Sequence, residues 1–292
     1  MRLGSRGSAL ALAQAQLVAD LLGGAEIVTT ADLADVGDKS RWVRGLEEAL
    51  LGGSIDLAVH SAKDVPEQLP GGLALLGTPP RAAAEDVICG ATGLHALAPG
   101  ARVGTSSLRR AAQLLAHRED IEIVPLAGNV DSRLRKLGEG VDGIEAIVLA
   151  RSGLERLGRE QETGAILDPH DFVPAPGQGK VALEGRAHDE PVREAAAAIT
   201  EPNALTCLLA ERALSRALGA SCNTPIGAYA TLGEELTLRA WVGLPNGSAW
   251  VRDELSGDAA QPEELGRAVA ARMRSAGAGD LLRAAEEMTV GR

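Results

Sequence analysis

Short apolar runs alternate with amphipathic patterns along the first two thirds of this 292-residue chain. The first alternation predicts strands and helices in turn, at 2–4, 8–22, 25–29, 42–51 and 55–60. Strands that alternate with helices in this way form mostly parallel sheets, because each helix carries the chain back across the sheet. The pattern therefore predicts an α/β fold for this part of the chain.

A second alternation follows the proline-bearing stretch GTPPRAAAEDV at 77–87, which is typical of a crossing between domains. The stretch FVPAPGQGKVALE at 172–184 predicts a second crossing that returns to the first domain. After it, a helix near 203–218, three apolar runs and two closing helices predict a small α+β domain with an antiparallel sheet. The strands and helices of the second alternation are predicted at 101–104, 107–117, 121–125, 129–137, 144–149 and 152–157, and the later apolar runs and helices at 225–232, 237–243, 248–254, 262–275 and 278–287.

Composition excludes some classes of function. The net charge is −11 and aromatic residues make up 2%, so neither the basic face nor the stacking platforms of a nucleic-acid-binding protein are expected. Only four of the 29 basic residues are lysine, and arginine suits carboxylates and phosphates, although genomic base bias explains most of the excess. Three cysteines without metal-ligand spacing, and no long apolar stretch, predict a cytoplasmic protein outside the membrane.

A polar cluster follows the strand predicted at 55–60. Ser61, Lys63 and Asp64 stand in IDLAVHSAKDVP, where the strand ends. Open α/β sheets bind their ligands at the carboxyl ends of strands. Further cations follow other apolar runs, and so we expect several cations and one carboxylate to share a cleft. These further cations are Arg6, Arg109, Arg110, Arg133 and Arg156.

Two strand-to-helix junctions predict anion binding. In GTSSLRR at 104–110, Ser106 or Ser107 can cap the helix, and Arg109 and Arg110 add charge beside its free N–H groups. The alternative for one isolated junction is a capped helix with solvated arginines. A second junction, AGNVDSRL, with Asn129 and Arg133, favours an anionic ligand with several carboxylates or phosphates.

The cysteines and histidines are less decisive. Cys222 lies in the loop GASCNTPIGAYA, where an exposed thiolate could be a nucleophile or an attachment point, or could be inert. Spacing alone leaves these alternatives open. Cys89 and Cys207 are expected to be small core residues, and His60 to pack at a strand end. We expect no metal site.

In order, HSAKDVP, GTSSLRR, GNVDSRL, PAPGQG and SCNTPIGAYA, with RLGSRGSALALAQ at the start, resemble the porphobilinogen deaminase (hydroxymethylbilane synthase) family over nearly the whole chain. The resemblance implies three α/β domains, the first two similar to those of type-II periplasmic binding proteins. We expect them at 1–79 plus about 178–198, at 84–173 and at 202–292. The third is expected to be a small α+β domain with an antiparallel sheet.

The resemblance also implies an activity. Four porphobilinogen molecules would be joined head to tail, with loss of ammonia, to hydroxymethylbilane in tetrapyrrole biosynthesis. A covalent dipyrromethane cofactor would prime the reaction as a thioether on Cys222, and the protein would be a monomer. Asp64 matches the catalytic aspartate, which would stabilise developing positive charge and shuttle protons, and Lys63 should keep it ionised.

Other residues match positions of the cofactor and substrate cleft or of the loop that covers it. The cleft positions are Arg6, Ser8, Ser61, Lys63, Thr105, Ser106, Ser107, Arg109, Arg110, Arg133, Arg156 and Gln178, and the loop positions are Lys39 and Trp42.

The chain departs from the family pattern in three places. Ala127 stands where an arginine is usual, and 82–86 read AAAED where EDPRD is usual. Trp42 replaces phenylalanine in a loop that is shortened just before Lys39. We expect a working enzyme that holds its growing chain less tightly, with Arg135 or Arg151 as compensation for Ala127.

Three alternatives remain at this point. The first is a paralogue with reduced activity, and the second is a binding protein for anionic solutes, which would need neither Asp64 nor Cys222. The third is a Schiff-base enzyme that uses Lys63.

Overall fold

The computed structural model describes residues 1–29, 39–219 and 224–290, and the side chains of 39–42 and 290 are outside this description. The strands are β1 (Arg2–Ser5), β2 (Glu26–Thr29), β3 (Leu57–Ser61), β4 (Leu73–Gly77), β5 (Asp86–Cys89), β6 (Arg102–Gly104), β7 (Glu122–Val124), β8 (Ala146–Ala150), β9 (Ala165–Leu167), β10 (Val181–Arg186), β11 (Ile226–Leu232), β12 (Leu236–Gly243) and β13 (Trp250–Gly257). The helices are α1 (Ala9–Leu21), α2 (Lys39–Leu51), α3 (Leu108–His117), α4 (Val130–Gly138), α5 (Arg151–Arg156), α6 (Glu190–Ala198), α7 (Pro202–Leu218), α8 (Pro262–Ser275) and α9 (Ala278–Val290).

Two five-stranded sheets share one topology. The first has the order β2-β1-β3-β10-β4 and the second β7-β6-β8-β5-β9. In each, a single strand runs antiparallel to both of its neighbours, β10 in the first sheet and β5 in the second. Those two strands follow the two predicted crossings, because the chain enters each sheet there from the opposite side.

The third sheet is antiparallel and consists of β11, β12 and β13 in sequence order. Helices α7, α8 and α9 pack against it around a separate aliphatic core, in which Leu214, Leu238 and Met273 are fully buried. The predicted fold class, α/β with a small α+β unit at the end, is confirmed. Elements β4, β9 and α6 were not predicted, because they are short or lie beside proline and glycine.

The two crossing segments run side by side. The amide of Ala82 donates to the carbonyl of Gly179 at 3.1 Å, and that of Ala62 donates to the carbonyl of Lys180 at 3.0 Å. The second segment thus touches both the first segment and the turn that follows β3. This contact places the end of the first sheet beside the start of the second.

Candidate active site

The Asp64 turn is a single 3-10 turn, Ala62–Asp64, directly after β3. Strand β3 lies between β1 and β10 in the first sheet, so the turn leaves from an inner strand. The hydroxyl of Ser61 exchanges hydrogen bonds with the side-chain amide of Gln14, with Nε2 to Oγ at 2.9 Å and Oγ to Oε1 at 3.1 Å. Helix α1 therefore fixes the residue from which the turn begins.

Charged groups at the end of the first large sheet interact with charged groups of the second. Lys63, after β3, lowers the pKa of Asp86 on β5 as the last of several causes. Asp64 interacts electrostatically with Arg133 on α4, which belongs to the second sheet's surroundings. Burial and, to a smaller extent, the charge of Arg110 lower the pKa of the Arg133 guanidinium to about 10, while Asp64 opposes both. The predicted carboxylate and one predicted cation thus lie within electrostatic range of each other.

Asp86 is the centre of a buried ion cluster. It is 0% exposed, and Arg109 and Arg110 each lie 2.7 Å from one of its carboxylate oxygens. Arg110 also donates from Nε to the same oxygen at 3.0 Å, which makes that contact a fork. The amide nitrogen of Gln178 donates to Asp86 Oδ1 at 3.1 Å and to the carbonyl of Ala84 at 2.7 Å.

Arg109 and Arg110, in the GTSSLRR junction, are buried ion-pair partners and not solvated side chains. Arg109 and Arg110 are only 4% and 5% exposed, so the alternative of solvated arginines is wrong. Burial alone would raise the pKa of the Asp86 carboxyl, but the charges of the two guanidinium groups lower it to about 2. The cluster carries one negative and two positive charges, so it keeps a net positive charge in a buried place.

Caps position both arginine-bearing helices. Ser107 is the N-cap of α3 and accepts from the amide of Arg110, and its own amide donates to Thr105 Oγ1 at 3.1 Å. Thr105 is buried and Ser106 is exposed. Asn129 caps α4 and accepts from the amide of Ser132 at 2.9 Å. Both predicted junctions are therefore strand-to-helix turns with capped helices.

The remaining cleft candidates lie on elements around the same place. Ser8 is the N-cap of α1 and stands two residues after half-buried Arg6. Arg156, at the end of α5, donates from Nη2 to the carbonyl of Gly179 at 2.8 Å. Burial lowers the pKa of the Arg156 guanidinium. Ser8 therefore lies at the start of the helix that follows β1, and Arg156 joins α5 to the second crossing.

Two buried N–H donors in and beside the Asp86 cluster, Nε of Arg109 and Nε of Arg133, find no hydrogen-bond partner among the described residues. A buried acceptor, Oε1 of Gln178, also lacks a partner there, but a carboxylate would not satisfy it. A buried N–H without an acceptor costs free energy, and a carboxylate ligand would relieve that cost. Because each pyrrole of a dipyrromethane carries two carboxylates, the donors present fit such a group.

For three predicted residues the position of the side chain is outside the described structure. Cys222 falls in 220–223, outside the described residues, and so the structure does not test it. Lys39 opens α2 and Trp42 follows one turn later, but their side chains are also outside the description. The attachment and loop predictions for these residues stay predictions.

The departures from the family pattern have identifiable partners. Arg151 forms ion pairs with Glu85 at 3.3 Å and with Glu155 at 2.9 Å, so the carboxylate of Glu85 is paired with a cation. Arg135 lies 3.8 Å from Glu139 and is 68% exposed. The contacts of both arginines are with acids, and nothing in them supports compensation for Ala127. Instead, Lys136 Nζ donates to the Ala127 carbonyl at 3.1 Å.

A second buried ion cluster, which was not predicted from the sequence, joins helix α7 to both crossing segments. Glu211 on α7 accepts from Arg81 Nη1 at 2.9 Å and from Lys180 Nζ at 3.0 Å through the same oxygen. Its other oxygen accepts from the amide of Gly177 at 2.6 Å. A glutamate on an apolar helix, and a lysine directly before a buried strand, were the sequence signals that could have revealed it.

Gln14 and Asp86 were missed as well. Gln14 interrupts an alanine-rich helix and is 2% exposed, and Asp86 begins a buried strand. Within the described parts of the chain, no group of three or more His, Cys, Asp or Glu side chains could hold a metal ion. None of the described helices is both long and apolar enough to cross a membrane.

Two family models match the chain. The model described as "Porphobilinogen deaminase, dipyromethane cofactor binding domain" matches residues 1–194, and that described as "Porphobilinogen deaminase, C-terminal domain" matches 205–275. Together they cover all three sheets.

Similar curated proteins include the porphobilinogen deaminase of Roseiflexus castenholzii, 42% identical, with 97% of this chain and 98% of the relative covered. That of Rubrobacter xylanophilus is 44% identical, with 96% and 95% covered. Among solved structures, an ABC transporter periplasmic substrate-binding protein from Coxiella burnetii is 15% identical, covering 70% of this chain and 94% of that chain, with a TM-score of 0.42. A methionine-bound nutrient binding protein from Burkholderia cenocepacia is 13% identical, covering 70% and 93%, with a TM-score of 0.43.

Proposed function

The chain belongs to the porphobilinogen deaminase family, and we propose that it works as that enzyme with the residues assembled around Asp64 and Asp86. It is a transferase that joins four porphobilinogen molecules head to tail, with loss of ammonia, to hydroxymethylbilane. Its cofactor is dipyrromethane, as the description of the matched cofactor-binding domain states. A binding protein for anionic solutes is not favoured, because the relatives are named as the enzyme over nearly their full length.

The observation that carries the proposal is the charge arrangement at the meeting of the two large sheets. One carboxylate, Asp64, follows an inner strand of the first sheet and interacts electrostatically with Arg133 of the second unit. Lys63, the residue before Asp64, acts on Asp86 of the second sheet. Porphobilinogen brings two carboxylates, which require cations, and its reaction develops positive charge, which requires an anion. A site with several guanidinium groups and a carboxylate beside them meets both requirements.

Asp64 is proposed to stabilise the positive charge that develops on the substrate as ammonia leaves, and to move the protons of the addition. Lys63 and Arg133 would hold its charge and neighbouring substrate carboxylates. Arg109, Arg110 and Gln178 would bind the carboxylates of the cofactor, which supplies the carbon to which the first porphobilinogen is joined. Arg6, Ser8, Ser61, Thr105, Ser106, Ser107 and Arg156 would complete the walls.

The attachment of the cofactor to Cys222 as a thioether is part of the same proposal. Lys39 and Trp42 would belong to the loop that covers the site. We also propose a cytoplasmic monomer that binds no nucleic acid, in agreement with the net charge of −11. The three sheets support a division into domains at 1–79 with about 178–198, 84–173 and 202–292, since β10 belongs to the first sheet.

Intact mass spectrometry tests the proposal. Freshly purified protein should carry the added mass of a dipyrromethane, and Cys222→Ser should abolish it, whereas Cys207→Ser, in a buried helix, should keep it. The wild type should convert porphobilinogen to hydroxymethylbilane. An adduct that survives in Cys222→Ser, or a wild type without conversion, would refute the proposal. Borohydride trapping at Lys63 would favour the Schiff-base alternative instead.

A further inference from the structure

One face of α7 lies against the Asp64 turn. Leu208, Glu211 and Arg212 are spaced three and four residues apart, so they share one side of the helix. Leu208 is 0% exposed and packs in one apolar cluster with Ala62 and Val65, the residues on either side of Lys63 and Asp64. The helix of the third unit therefore contacts both flanks of the proposed catalytic turn.

Arg212 binds the chain directly after Asp64. Its Nη1 donates to the carbonyl of Val65 at 3.3 Å, and its Nη2 donates to that of Pro66 at 2.7 Å and that of Glu67 at 3.4 Å. The residue is only 9% exposed. A planar fork over successive carbonyls fixes direction as well as distance, which a single point charge does not.

Glu211, the preceding residue of α7, holds the other side of the turn. It accepts from the amide of Gly177, whose φ of +75° is open to glycine at little cost. A Cβ at 177 would lie 3.0 Å from the Ala62 carbonyl carbon and 3.1 Å from the Lys63 nitrogen. Gly177 thus links α7 to the backbone of Ala62 and Lys63, which precede Asp64. Arg212 links α7 to the carbonyls of 65–67, which follow Asp64.

The same helix leads to Cys222. Helix α7 ends at Leu218, and Gly219 caps it with a φ of +74°. Cys222 is three residues further along the chain and lies outside the described residues. The helix that holds the Asp64 turn is therefore also the element that leads into the segment with Cys222.

We propose that Arg212 is a positioning residue, which locks the Asp64 turn onto α7 and so sets the place of Asp64 relative to a primer attached at Cys222. The inference rests on the proposed function, because it needs the attachment and the acid to have their proposed roles. Arg212 does not have to touch substrate for this. Misplacement of a reacting group by about 1 Å can cost a factor of about 100 in rate.

Such a residue is expected to affect the chemical step more than substrate binding. Lys63 lies in the same turn as Asp64. The other cations that would bind substrate carboxylates lie on elements that the 65–67 segment does not include. Loss of the Arg212 fork would leave those cations in place while the acid shifts. The rate constant kcat should therefore fall, and the KM for porphobilinogen should change little.

The experiment compares Arg212→Met, Arg212→Lys and Arg216→Met as full-length holoenzymes. Arg216 is the matched control, because it lies one turn further along α7 and binds exposed Glu263 at 3.4 Å. Urea unfolding checks the fold of each variant, and intact mass gives the fraction with cofactor, to which kcat is normalised. We expect kcat to fall about 10- to 100-fold in Arg212→Met, to recover in part in Arg212→Lys, and to stay unchanged in Arg216→Met.

An unchanged kcat in folded Arg212→Met holoenzyme would overturn the inference. So would a fall in kcat that vanishes once the folded, cofactor-bearing fraction is taken into account, because that result indicates a merely structural role. A rise in KM with constant kcat would overturn it too. A wild type without adduct or conversion would refute the proposed function first and this inference with it.

Discussion

Lys180 and Glu211 form a fully buried ion pair, in which Nζ lies 3.0 Å from Oε1 and both side chains are 0% exposed. Arg81 binds the same oxygen at 2.9 Å and also lies over the ring of Tyr229 at 4.7 Å. The cluster therefore holds two cations for one carboxylate. Burial is the main cause that lowers the pKa of the Lys180 ammonium to about 8, with Arg81 acting in the same direction and Glu211 opposing both.

Replacing Lys180 by methionine should stabilise the protein at neutral pH. The folded pKa of about 8 lies below the ordinary 10.5, so the folded state disfavours the proton that the unfolded chain keeps. We expect Lys180→Met to raise the free energy of unfolding at pH 7 by up to about 3 kcal/mol, since a methionine fills similar space without charge. Urea unfolding at pH 7 measures it.

The stabilisation by Lys180→Met should depend on pH. Between pH 8 and 10.5 the unfolded chain binds more protons at this site, so the stability of the wild type rises with pH. The advantage of Lys180→Met should therefore shrink when the measurement is repeated at pH 9.5. A variant less stable than the wild type at pH 7 would show that the Lys180 charge is a net benefit.

Removing the acid of this cluster should have the opposite effect. Glu211→Gln leaves Arg81 and Lys180 as buried cations without their common carboxylate. Breaking a buried pair from one side typically costs about 3–5 kcal/mol. We expect a loss of that order in urea unfolding at pH 7. Lys180→Met should stabilise the Glu211→Gln variant by more than it stabilises the wild type, because the lysine has lost its acid there. Full additivity of the two changes would contradict a shared cluster.

Asp86→Asn should remove an acid-dependent part of the stability. The folded pKa of Asp86 is about 2 against an ordinary 3.8, so its contribution is complete above pH 3.8 and is lost as the pH falls through 2. We expect the variant to be less stable by about 3–5 kcal/mol at pH 5, and the difference to shrink towards pH 2. Asp120→Asn, an exposed partner of Arg118, is the control and should change little.

A difference between wild type and Asp86→Asn that stays constant from pH 5 to pH 2 would contradict this assignment. It would mean that the carboxyl of Asp86 does not titrate between its two expected pKa values. Acid unfolding followed by circular dichroism over this range decides the matter.

Asp64→Asn should nearly abolish turnover and leave the fold intact. An amide keeps the size of the side chain but can neither offset positive charge nor exchange the proton, and such a loss costs about 100- to 10,000-fold. The rate of hydroxymethylbilane formation measures it. Asp56→Asn is the matched control, because Asp56 precedes the same strand β3 at its other end and binds Arg2 at 2.7 Å. Substantial turnover by Asp64→Asn would remove Asp64 from its role.

Much of the fold was predictable because its signals are local. Period-3.6 and short apolar runs gave α1, α3, α4 and β8, with ends close to those observed. The strands that were missed, β4 and β9, are edge strands, and their pairing depends on partners far away in the chain. No local pattern reports such a partner.

The site was predictable in its residue types and less so in its pairings. Arg109 and Arg110 follow a recognisable junction, but the acid that holds both, Asp86, stands more than 20 residues earlier in a stretch that departs from the family pattern. Likewise Arg212 reaches carbonyls about 145 residues away. Sequence names the charged groups, whereas tertiary structure decides which of them neutralise each other.

Ala127→Arg should speed chain elongation. Ala127 is exposed in the loop between β7 and α4, and the cation beside it, Lys136, donates to its carbonyl. Arg135 and Arg151 bind acids, so neither replaces an arginine at 127. One added charge-assisted hydrogen bond at a partly solvated place is worth roughly 1 kcal/mol, or about fivefold in the affinity for an intermediate. Single-turnover rates for each addition, read by intact mass after rapid quenching, measure the gain. Ala127→Gln separates charge from size and should show none of it, and equal rates in all three proteins would show that no clamp is missing at this position.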